Sequence, residues 1–381
     1  MGIQGLHRLI ADTAPGAIKE GKIDSLFGRK IAIDASMAIY QFLIAVRQAG
    51  GEGQLTNDAG EVTSHLTGIL YRTIRMMEAG IKPVFVFDGK PPTLKGGQLA
   101  KRKERQQAAQ EELAKLQAQG DASVEDIERQ QKRTVRASRE QSEEVKRLLK
   151  LMGVPVVDAP CEAEATCAAL AKAGVVYGAG TEDMDALTFG TPILVRHLNV
   201  SESRKLPILE IDLEKVLAGM ELTHDQFVDL CILCGCDYSD SIKGIGPVKA
   251  LKMIQDHKNI EGVLKNLDTA KYPLPEPFPF QEARQLFINP EVTSPEGLDL
   301  KWGDVDVEGL KKFLVEEKQF AEERVNKAIE RLQKCKGKQA QGRLETFFGA
   351  SFTHSSTTGK QKAPPPGKGK GKAPAAKKQK K

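Results

Sequence analysis

The stretch KIAIDAS at residues 30–36 places an acidic residue directly after a short apolar run. Such a run suits a strand that is buried on both faces of a parallel sheet. PVFVFDG at residues 83–89 repeats the pattern, and two amphipathic segments, at about 36–48 and 63–79, lie between the two runs. This alternation predicts a βαβ unit with one strand in each apolar run.

The same rhythm returns after residue 150. Further strands are predicted in VPVVDA (154–159), VVYGAG (175–180) and TPILVRHL (191–198), with a helix at about 161–173. Strands that alternate with helices form parallel sheets that are covered by helices. The sequence therefore predicts an α/β fold with a mostly parallel central sheet flanked by helices.

Seven acidic residues accompany these elements, and most of them stand just past a predicted strand. Side chains at the carboxyl ends of parallel strands meet in one crevice. Like charges gathered there repel one another and lose hydration, so the cluster needs a compensating positive charge. The seven are Asp34, Asp88, Glu162, Glu164, Asp183, Asp185 and Asp237.

Divalent cations would supply the compensating charge. A ligand set made only of oxygen suits Mg²⁺ or Mn²⁺ and not Zn²⁺. Two such ions about 4 Å apart can activate a water and stabilise the leaving oxygen, which fits phosphodiester hydrolysis. Each acidic pair alone is weak evidence. Glu162 and Glu164, two residues apart, would not share a face of an ideal helix, so the sequence leaves open how both point inward.

Residues 95–105 carry five basic side chains and one acidic side chain, a net charge of +4 in eleven residues. Lys95 and Arg102 are seven apart, about two helical turns, so they share a face if the segment is helical. A solvated charged face is the usual explanation of such a run. Its position soon after Asp88 favours contacts with a phosphate beside the acidic cluster.

The remaining segments complete the outline of the chain. Residues 95–150 predict two polar helices, separated near residue 120, that project into solvent or await a partner. The Pro-rich stretch 272–300 is predicted to be irregular, and helices follow at about 308–316 and 321–333.

GIGPVKA at residues 244–250 places a glycine turn between helices predicted over about 223–256. Backbone N–H groups at a helix N-terminus can hold a phosphate, and Lys249 could reach another. A lone Gly-x-Gly is usually only a turn. Its place between two helices favours a helix–turn–helix unit that clamps the backbone of duplex DNA independently of base sequence.

Charge is divided unevenly along the 381 residues. Residues 354–381 contain nine lysines and no acid, so the overall net charge of +5 leaves −4 for residues 1–353. Nucleic acid would therefore be held by local basic patches. No apolar run approaches the roughly 20 residues that span a bilayer, and the N-terminus lacks a secretory pattern. The cysteines suggest no disulfide framework, and the apolar C-x-x-C-x-C at 231–236 favours packing over metal binding.

From about residue 337 the chain is low in complexity and is predicted not to fold alone. QGRLETFF at residues 341–348 contains an aromatic pair with no core to join, which is typical of a docking motif. The last lysines of the chain resemble a nuclear import signal or a nonspecific nucleic-acid arm.

Together these residues closely resemble the eukaryotic flap endonucleases, a family of structure-specific 5′ nucleases, over about residues 1–350. The motifs that carry the resemblance are MGIQGL (1–6), GRKIAIDAS (28–36), FVFDGKPP (85–92), DAPCEAEA (158–165), TEDMDALTFG (181–190), FVDLCILCGCDY (227–238), GIGP (244–247) and QGRLETFF (341–348). The resemblance implies hydrolysis of DNA at the base of 5′ flaps in Okazaki fragment maturation and long-patch base excision repair, with an associated 5′–3′ exonuclease activity. The implied location is the nucleus, with the nucleolus and mitochondrion as further compartments.

The resemblance also implies roles for single side chains. Two Mg²⁺ ions, for which Mn²⁺ can substitute, would be held by two groups of acids. The first group is Asp34, Asp88, Glu162 and Glu164, and the second is Asp183, Asp185 and Asp237. Lys95 and Arg102 would be the catalytic contacts to the scissile phosphate. Tyr40 would stack on a base beside the cut, and Gly2 would be a mature N-terminus near the site.

Further DNA contacts are implied for Arg47, Thr63, Gly235, Gly244, Gly246 and Lys249. Arg47 and Thr63 would hold a one-nucleotide 3′ flap beside an acidic block at Asp58 and Glu61, and Ser241 would belong to a K⁺ site in the helix–two-turn–helix. A monomer acting on branched DNA, with no membrane partner, is implied. The partner of the docking motif would be proliferating cell nuclear antigen, the trimeric sliding clamp. Its contacts would be Gln341, Leu344, Phe347 and Phe348.

The predicted domains are a nuclease core and a tail. The core spans 1–336, with an N-terminal region at 1–106, a helical arch at about 90–140, an internal nuclease region at about 124–260 and the helix–two-turn–helix at about 223–256; the tail spans 337–381, with the docking motif at 341–348. Cys161, Cys234 and Cys236 depart from the family pattern, the loop 49–61 is two residues longer, and Gln106 replaces a basic arch residue.

Three rival interpretations remain at this stage. A related nuclease of the same superfamily would act on bubbles, recombination junctions or mismatch-repair tracts, but the short arch and the docking motif argue against it. A noncatalytic DNA-binding scaffold would have no use for seven clustered acids. A haloacid-type phosphatase could use an Asp-rich floor, but it would leave the features for clamping duplex DNA unexplained.

Overall fold

Within the described residues, seven strands form a single sheet in the order β1-β7-β6-β5-β2-β3-β4. The computed structural model describes residues 2–47, 63–119, 123, 126, 127, 129, 130, 134, 135, 137–200 and 206–338. The strands are β1 (Ile18–Gly21), β2 (Lys30–Asp34), β3 (Lys82–Phe87), β4 (Val156–Asp158), β5 (Gly178–Gly180), β6 (Ile193–Arg196) and β7 (Ile208–Asp212).

Five consecutive strands of the sheet are parallel to one another, which confirms the mostly parallel sheet. They are β4, β3, β2, β5 and β6. Strand β7 runs antiparallel to β6 and to the edge strand β1. Neither β1 nor β7 is among the predicted strands. In the central register Asp34 pairs with Val86, and Phe87 pairs with Asp158. The carboxyl ends of β2, β3 and β4 therefore lie side by side.

Helices cover both faces of this sheet. They are α1 (Leu6–Thr13), α2 (Ala35–Arg47), α3 (Ser64–Glu78), α4 (Gly96–Gln119), α5 (Arg139–Leu151), α6 (Ala163–Lys172), α7 (Asp185–Thr188), α8 (Leu213–Met220), α9 (His224–Cys234), α10 (Pro247–His257), α11 (Ile260–Asn266), α12 (Phe280–Ile288), α13 (Val307–Lys311) and α14 (Glu322–Lys338), with a π-helical turn at Lys312–Glu317. Among the described residues, no helix is both long enough and apolar enough to cross a membrane.

The hydrophobic core has two parts because each central strand buries both of its faces. Ile33 and Phe85 belong to one cluster, with helices α3 and α14. Val84 and Val86, one position away from Phe85, belong to the other, with α6 and α9. Successive side chains of a strand point to opposite faces, so a continuous apolar run satisfies both layers. This is why KIAID and KPVFVF contain almost no polar residue before their ends.

The Pro-rich segment differs from its prediction. Residues 272–300 were expected to be irregular, but helix α12 occupies Phe280–Ile288 within them. Its residues Ala283 and Phe287 are fully buried in the core. The prolines at 275, 277 and 279 all precede the helix and do not interrupt it. Proline density alone therefore misidentified the segment.

The second polar helix is interrupted within its predicted range. The sequence predicts one helix from beyond residue 120 to about 150, and residues 126, 127, 129 and 130 are helical, but Thr134 lies in a turn and helix α5 begins at Arg139. The cause is a capping box: the hydroxyl of Ser138 accepts a hydrogen bond from Gln141 N, and the side chain of Gln141 accepts one from Ser138 N. Such reciprocal bonds fix a helix N-terminus.

Candidate active site

Six of the seven predicted acids line one cavity beside the carboxyl ends of the parallel strands. The cavity has a volume of about 1190 Å³. Helix α4 contributes further lining residues, among them Arg102 and Gln106, and Lys95 lines the cavity just before this helix. The acids that line it are Asp34, Asp88, Glu162, Glu164, Asp183 and Asp237. Asp185 lies next to this set.

The carboxylates at the ends of β2 and β3 are held by short hydrogen bonds. Asp34 ends β2, and its oxygens accept from Met37 N at 2.9 Å and from the Thr181 hydroxyl at 3.0 Å. Asp88 follows β3 by one residue and accepts from Ala163 N at 2.8 Å. The sheet and the first residue of α6 therefore fix the orientation of both groups.

The local backbone explains how Glu162 and Glu164 both reach the cavity. Glu162 has an extended conformation, with φ −91° and ψ 136°, and α6 begins at the next residue. Because Glu162 stands before the helix, the helical spacing that separates positions i and i+2 does not apply to it. Glu164 lies in the first turn of α6, where the helix dipole favours an acid. The sequence could not settle this point.

Asp183 lies in the turn that follows β5, and Asp185 begins helix α7 directly after it. Asp183 N donates to the Thr181 hydroxyl at 3.1 Å, and Asp185 N donates to Asp183 Oδ1 at 3.1 Å. Gly2 approaches both carboxylates so closely that an added Cβ would overlap with their Oδ1 atoms. Its φ of +77° also favours glycine. The N-terminal segment therefore packs directly against this acidic pair.

Two basic side chains converge on the acids from the start of α4. Lys95 closes a 3₁₀ turn before that helix, and its Nζ contacts Glu162 Oε1 and lies 3.1 Å from Asp237 Oδ2. Arg102 Nη2 lies 2.6 and 2.8 Å from the two oxygens of Asp237. Lys95 and Arg102, which are seven residues apart, are thus both directed at the acids, as expected if they share a face.

Burial and mutual repulsion perturb the acids strongly. Burial, followed by the charge of Asp88, raises the pKa of Asp34 to about 7. Burial also raises the pKa of Asp183, and it raises the pKa of Glu164 and of Asp185 well above the ordinary range, with neighbouring carboxylates adding to the shift for both. Perturbed acids that share a cleft are typical of a functional site.

The same charges act in the opposite direction on the lysine. Burial by itself lowers the pKa of Lys95, but the carboxylates of Glu162, Glu164 and Asp237 outweigh it and raise the pKa above its ordinary value. Lys95 therefore stays protonated at neutral pH. It supplies one of the positive charges that the acidic cluster requires.

The stability of the protein without divalent ions is expected to fall as pH rises. Between the ordinary value of 3.8 and about 7, folded Asp34 keeps a proton that the unfolded chain has lost. The free energy of unfolding therefore decreases across this window, by up to about 4 kcal/mol for this group alone. Denaturant titrations in EDTA from pH 5 to 8 measure the slope. Asp34→Asn should flatten it, and an equal slope in both proteins would contradict the assignment.

The residues present fit a divalent cation site. Within the described ranges, no group of three or more His, Cys, Asp or Glu side chains is already arranged to hold a metal ion. Lys95 and Arg102 engage Glu162 and Asp237 in this arrangement. The donor set is all oxygen, the charges are mutually repulsive, and Asp185 Oδ1 is buried without a hydrogen-bond partner among the described residues. These features suit Mg²⁺ or Mn²⁺.

The predicted DNA contacts occupy several places. Tyr40, on α2, lines the acidic cavity, whereas Thr63 is buried at the start of α3 and does not line it. Gly235, with φ +92°, ends α9, and Gly244 and Gly246 lie in the loop before α10. Lys249 is exposed on α10 and donates to Gly244 O at 3.0 Å. The Arg47 side chain, Asp58, Glu61 and the docking motif at 341–348 lie outside what the structure describes. All of these DNA and docking roles stay predictions.

Two side chains of the site were not found from the sequence. The hydroxyl of Thr181 joins Asp34 to the Asp183 turn, and the hydroxyl of Tyr238 donates to Glu162 Oε2. Each stands at one end of a quoted motif, since Thr181 opens TEDMDALTFG and Tyr238 closes FVDLCILCGCDY. Polar neighbours of predicted ligands were the available signal.

The cysteines at 231, 234 and 236 are free and buried, as expected for packing residues.

Comparisons with known proteins agree with this geometry. The XPG N-terminal domain matches residues 1–109 and the XPG I-region matches residues 153–237. Flap endonuclease 1 of Micromonas commoda is 57% identical over 380 residues, which cover 100% of this chain and 98% of the relative.

Solved structures extend the similarity to the fold. The flap endonuclease-1 structure from Methanococcus jannaschii is 31% identical, with a TM-score of 0.65 over 86% of this chain and 98% of that chain. The catalytic core of Rad2 in complex with DNA substrate is 26% identical, with a TM-score of 0.66 over 87% of this chain and 100% of that chain. Since more than half of the residues are identical to those of a full-length relative, the chain belongs to the flap endonuclease family.

Proposed function

We propose that this chain hydrolyses a DNA phosphodiester at the base of 5′ flaps, with an associated 5′–3′ exonuclease activity. The family assignment makes it a structure-specific nuclease, and the relatives that carry this assignment are flap endonucleases over the whole chain. The observation that supports the chemistry is a single cavity in which six carboxylates, five of them buried or partly buried, lie together with Lys95 and Arg102. Okazaki fragment maturation and long-patch base excision repair are the processes that this reaction serves.

Two Mg²⁺ ions are the proposed cofactors, and Mn²⁺ is the proposed substitute. Asp34, Asp88, Glu162 and Glu164 would hold the first ion, and Asp183, Asp185 and Asp237 would hold the second. When bound, such ions lower the pKa of a water and stabilise the charge on the leaving oxygen. The pKa of Glu164 and that of Asp185 are raised, which means that their ionised forms are disfavoured unless positive charge lies nearby. This supports the proposed ions.

The protein's own residues bind and orient the substrate. Lys95 and Arg102 reach into the cavity from one side, so a phosphate that enters it would meet both cations. Lys95 remains charged, and Arg102 presents a planar fork that matches phosphate oxygens. Tyr40 in the cavity wall offers a ring on which a base can stack. Residues of helix α4 line the cavity together with Gln130, Val135 and Ala137, and such a wall would select a single-stranded flap by shape.

A double-flap DNA labelled at its 5′ end tests the proposal. We expect one major cut at the base of the flap in Mg²⁺ and no cut in EDTA. Bubble and four-way-junction substrates of matched length should be cut at least about tenfold more slowly, because they lack a free 5′ end at the branch. Faster cutting of the junction would overturn the flap assignment, and cutting in EDTA would overturn the metal assignment.

The partners of the tail and turn are further proposals. The docking motif at 341–348 has the aromatic pair and spacing of a motif that binds proliferating cell nuclear antigen, and the lysine-rich end favours a nuclear location. Pull-down on the purified trimeric clamp, with Phe347→Ala and Phe348→Ala combined, checks the first proposal by loss of capture.

A K⁺ site at the turn near Ser241 predicts that K⁺ strengthens binding to duplex DNA more than equimolar Li⁺ does.

A further inference from the structure

A tyrosine hydroxyl donates a hydrogen bond to one carboxylate oxygen of a proposed metal ligand. Tyr238 directly follows Asp237, is only 5% exposed and donates its hydroxyl hydrogen to Glu162 Oε2. It is not among the residues that line the acidic cavity. Tyr238 therefore contacts the site from behind, through Glu162, and not through the space that a substrate would enter.

The position of this hydroxyl is set by aromatic packing. The Tyr238 ring lies 4.9 Å from the Phe287 ring, and the Phe287 ring lies 5.0 Å from the Phe189 ring, both at tilted angles. Phe189 directly follows α7, Phe287 lies in the last turn of α12, and both are buried in the same core. Tilted pairs at this separation are favourable, and close-packed rings have little freedom to move. The hydroxyl is thus presented at a fixed point.

The two oxygens of Glu162 are consequently divided between two partners. Oε2 is bound by the Tyr238 hydroxyl in the protein interior, while Oε1 faces the cavity and contacts Lys95. A carboxylate held by one oxygen cannot turn freely about its last side-chain torsion. Its second oxygen then points in one direction, which is the condition for a preorganised ligand.

We propose that Tyr238 is a positioning residue that orients Glu162 so that Oε1 is presented to a divalent cation. This inference rests on the proposed metal role of Glu162 and adds to it a residue outside the cavity. Partners of ligating carboxylates typically contribute about 10- to 100-fold to metal affinity. Tyr238→Phe removes a single oxygen and keeps the ring that packs on Phe287, so it isolates the hydrogen bond from the packing.

Ion binding to the protein without DNA is the decisive measurement. Calorimetric titration with Mg²⁺, and separately with Mn²⁺, should show affinity about tenfold or more lower in Tyr238→Phe than in the unsubstituted protein. The Mg²⁺ concentration that gives half-maximal cleavage should rise by the same factor, while the KM for flap DNA stays unchanged. In a Glu162→Gln background, Tyr238→Phe should have no further effect on ion binding.

Tyr177 provides a matched control. Its hydroxyl donates to Glu210 Oε2 at 2.6 Å, and Glu210 is also buried, but neither residue lines the cavity. Tyr177→Phe therefore removes the same kind of hydrogen bond, and both variants should lower the melting temperature by about 2–4 °C. Only Tyr238→Phe should weaken ion binding.

Each outcome decides between the claims. Equal ion affinity in Tyr238→Phe and the unsubstituted protein would overturn the positioning role and leave the metal assignment intact. An equal loss in Tyr177→Phe would also overturn it, because the effect would then follow stability alone. An unsubstituted protein that binds no divalent ion would overturn the metal assignment and this proposal together.

Discussion

Asp183→Asn is expected to abolish flap cleavage while it stabilises the protein in the absence of divalent ions. Asp183 is 5% exposed, lines the acidic cavity and accepts a hydrogen bond from Asp185 N, which the isosteric amide can retain. Losing one anionic oxygen donor should lower the single-turnover rate by at least about 10³-fold, which corresponds to about 4 kcal/mol of transition-state stabilisation. The melting temperature in EDTA should rise, because burial disfavours the ionised form of Asp183 and raises its pKa.

The control for this prediction is another acid at the carboxyl end of a parallel strand of the same sheet. Asp158 ends β4, but its side chain is 70% exposed and pairs with Lys146 at the surface. Asp158→Asn should change the rate by less than about twofold, since exposed ion pairs contribute little. Cleavage kinetics on a labelled double flap and thermal melting, both with purified protein, measure the two effects. An unimpaired rate in Asp183→Asn would end the proposed mechanism.

Lys95→Met is expected to lower the cleavage rate by about 10²- to 10³-fold, as the loss of a preorganised charge in a water-poor site does. The lysine side chain is 16% exposed and lies between Glu162 and Asp237. Methionine keeps most of its apolar length but cannot neutralise a phosphate. Affinity for flap DNA, measured by fluorescence anisotropy in Ca²⁺, should change by less than about threefold, because most of the proposed DNA contacts are elsewhere.

Lys115→Met is the matched control for the charge. Lys115 is an exposed residue of the same helix α4 and does not line the cavity. The same change in net charge there should leave the single-turnover rate within about twofold. If both substitutions reduced the rate equally, the effect would belong to the overall electrostatic field of this basic region and not to the contact between Lys95 and the acids.

The sequence was sufficient for the acidic floor because its signals are local. Asp34 and Asp88 each end an apolar run that only a buried parallel strand explains, and the sheet places those strand ends side by side. Glu162 and Glu164 were predicted to belong to the site, but how both could face it depended on where α6 begins. A shift of one residue in the start of α6 decides whether Glu162 and Glu164 can both face the site. The amino-acid composition does not reveal at which residue the helix starts.

The parts that the sequence missed depend on contacts between distant segments. Helix α12 exists because Ala283 and Phe287 fill the core against α9 and its neighbours, which no local pattern announces amid the prolines. The bond from Tyr238 to Glu162 joins residues 76 positions apart. Strand β1, with two charged residues among four, forms through pairing with β7 and not through its own propensity.

The parallel pairing of β3 with β4 has a consequence for how such enzymes diversify. Because the whole polar excursion from residue 88 to 155 is the crossover between two adjacent strands, its ends are anchored by the sheet whatever its length. Loop-closure entropy grows only slowly with length, so residues can be inserted or deleted there at small cost to stability. Evolution can therefore change the segment between β3 and β4 without altering the acidic cluster at the carboxyl ends of the strands. Relatives with distinct substrate preferences can then share the same cluster.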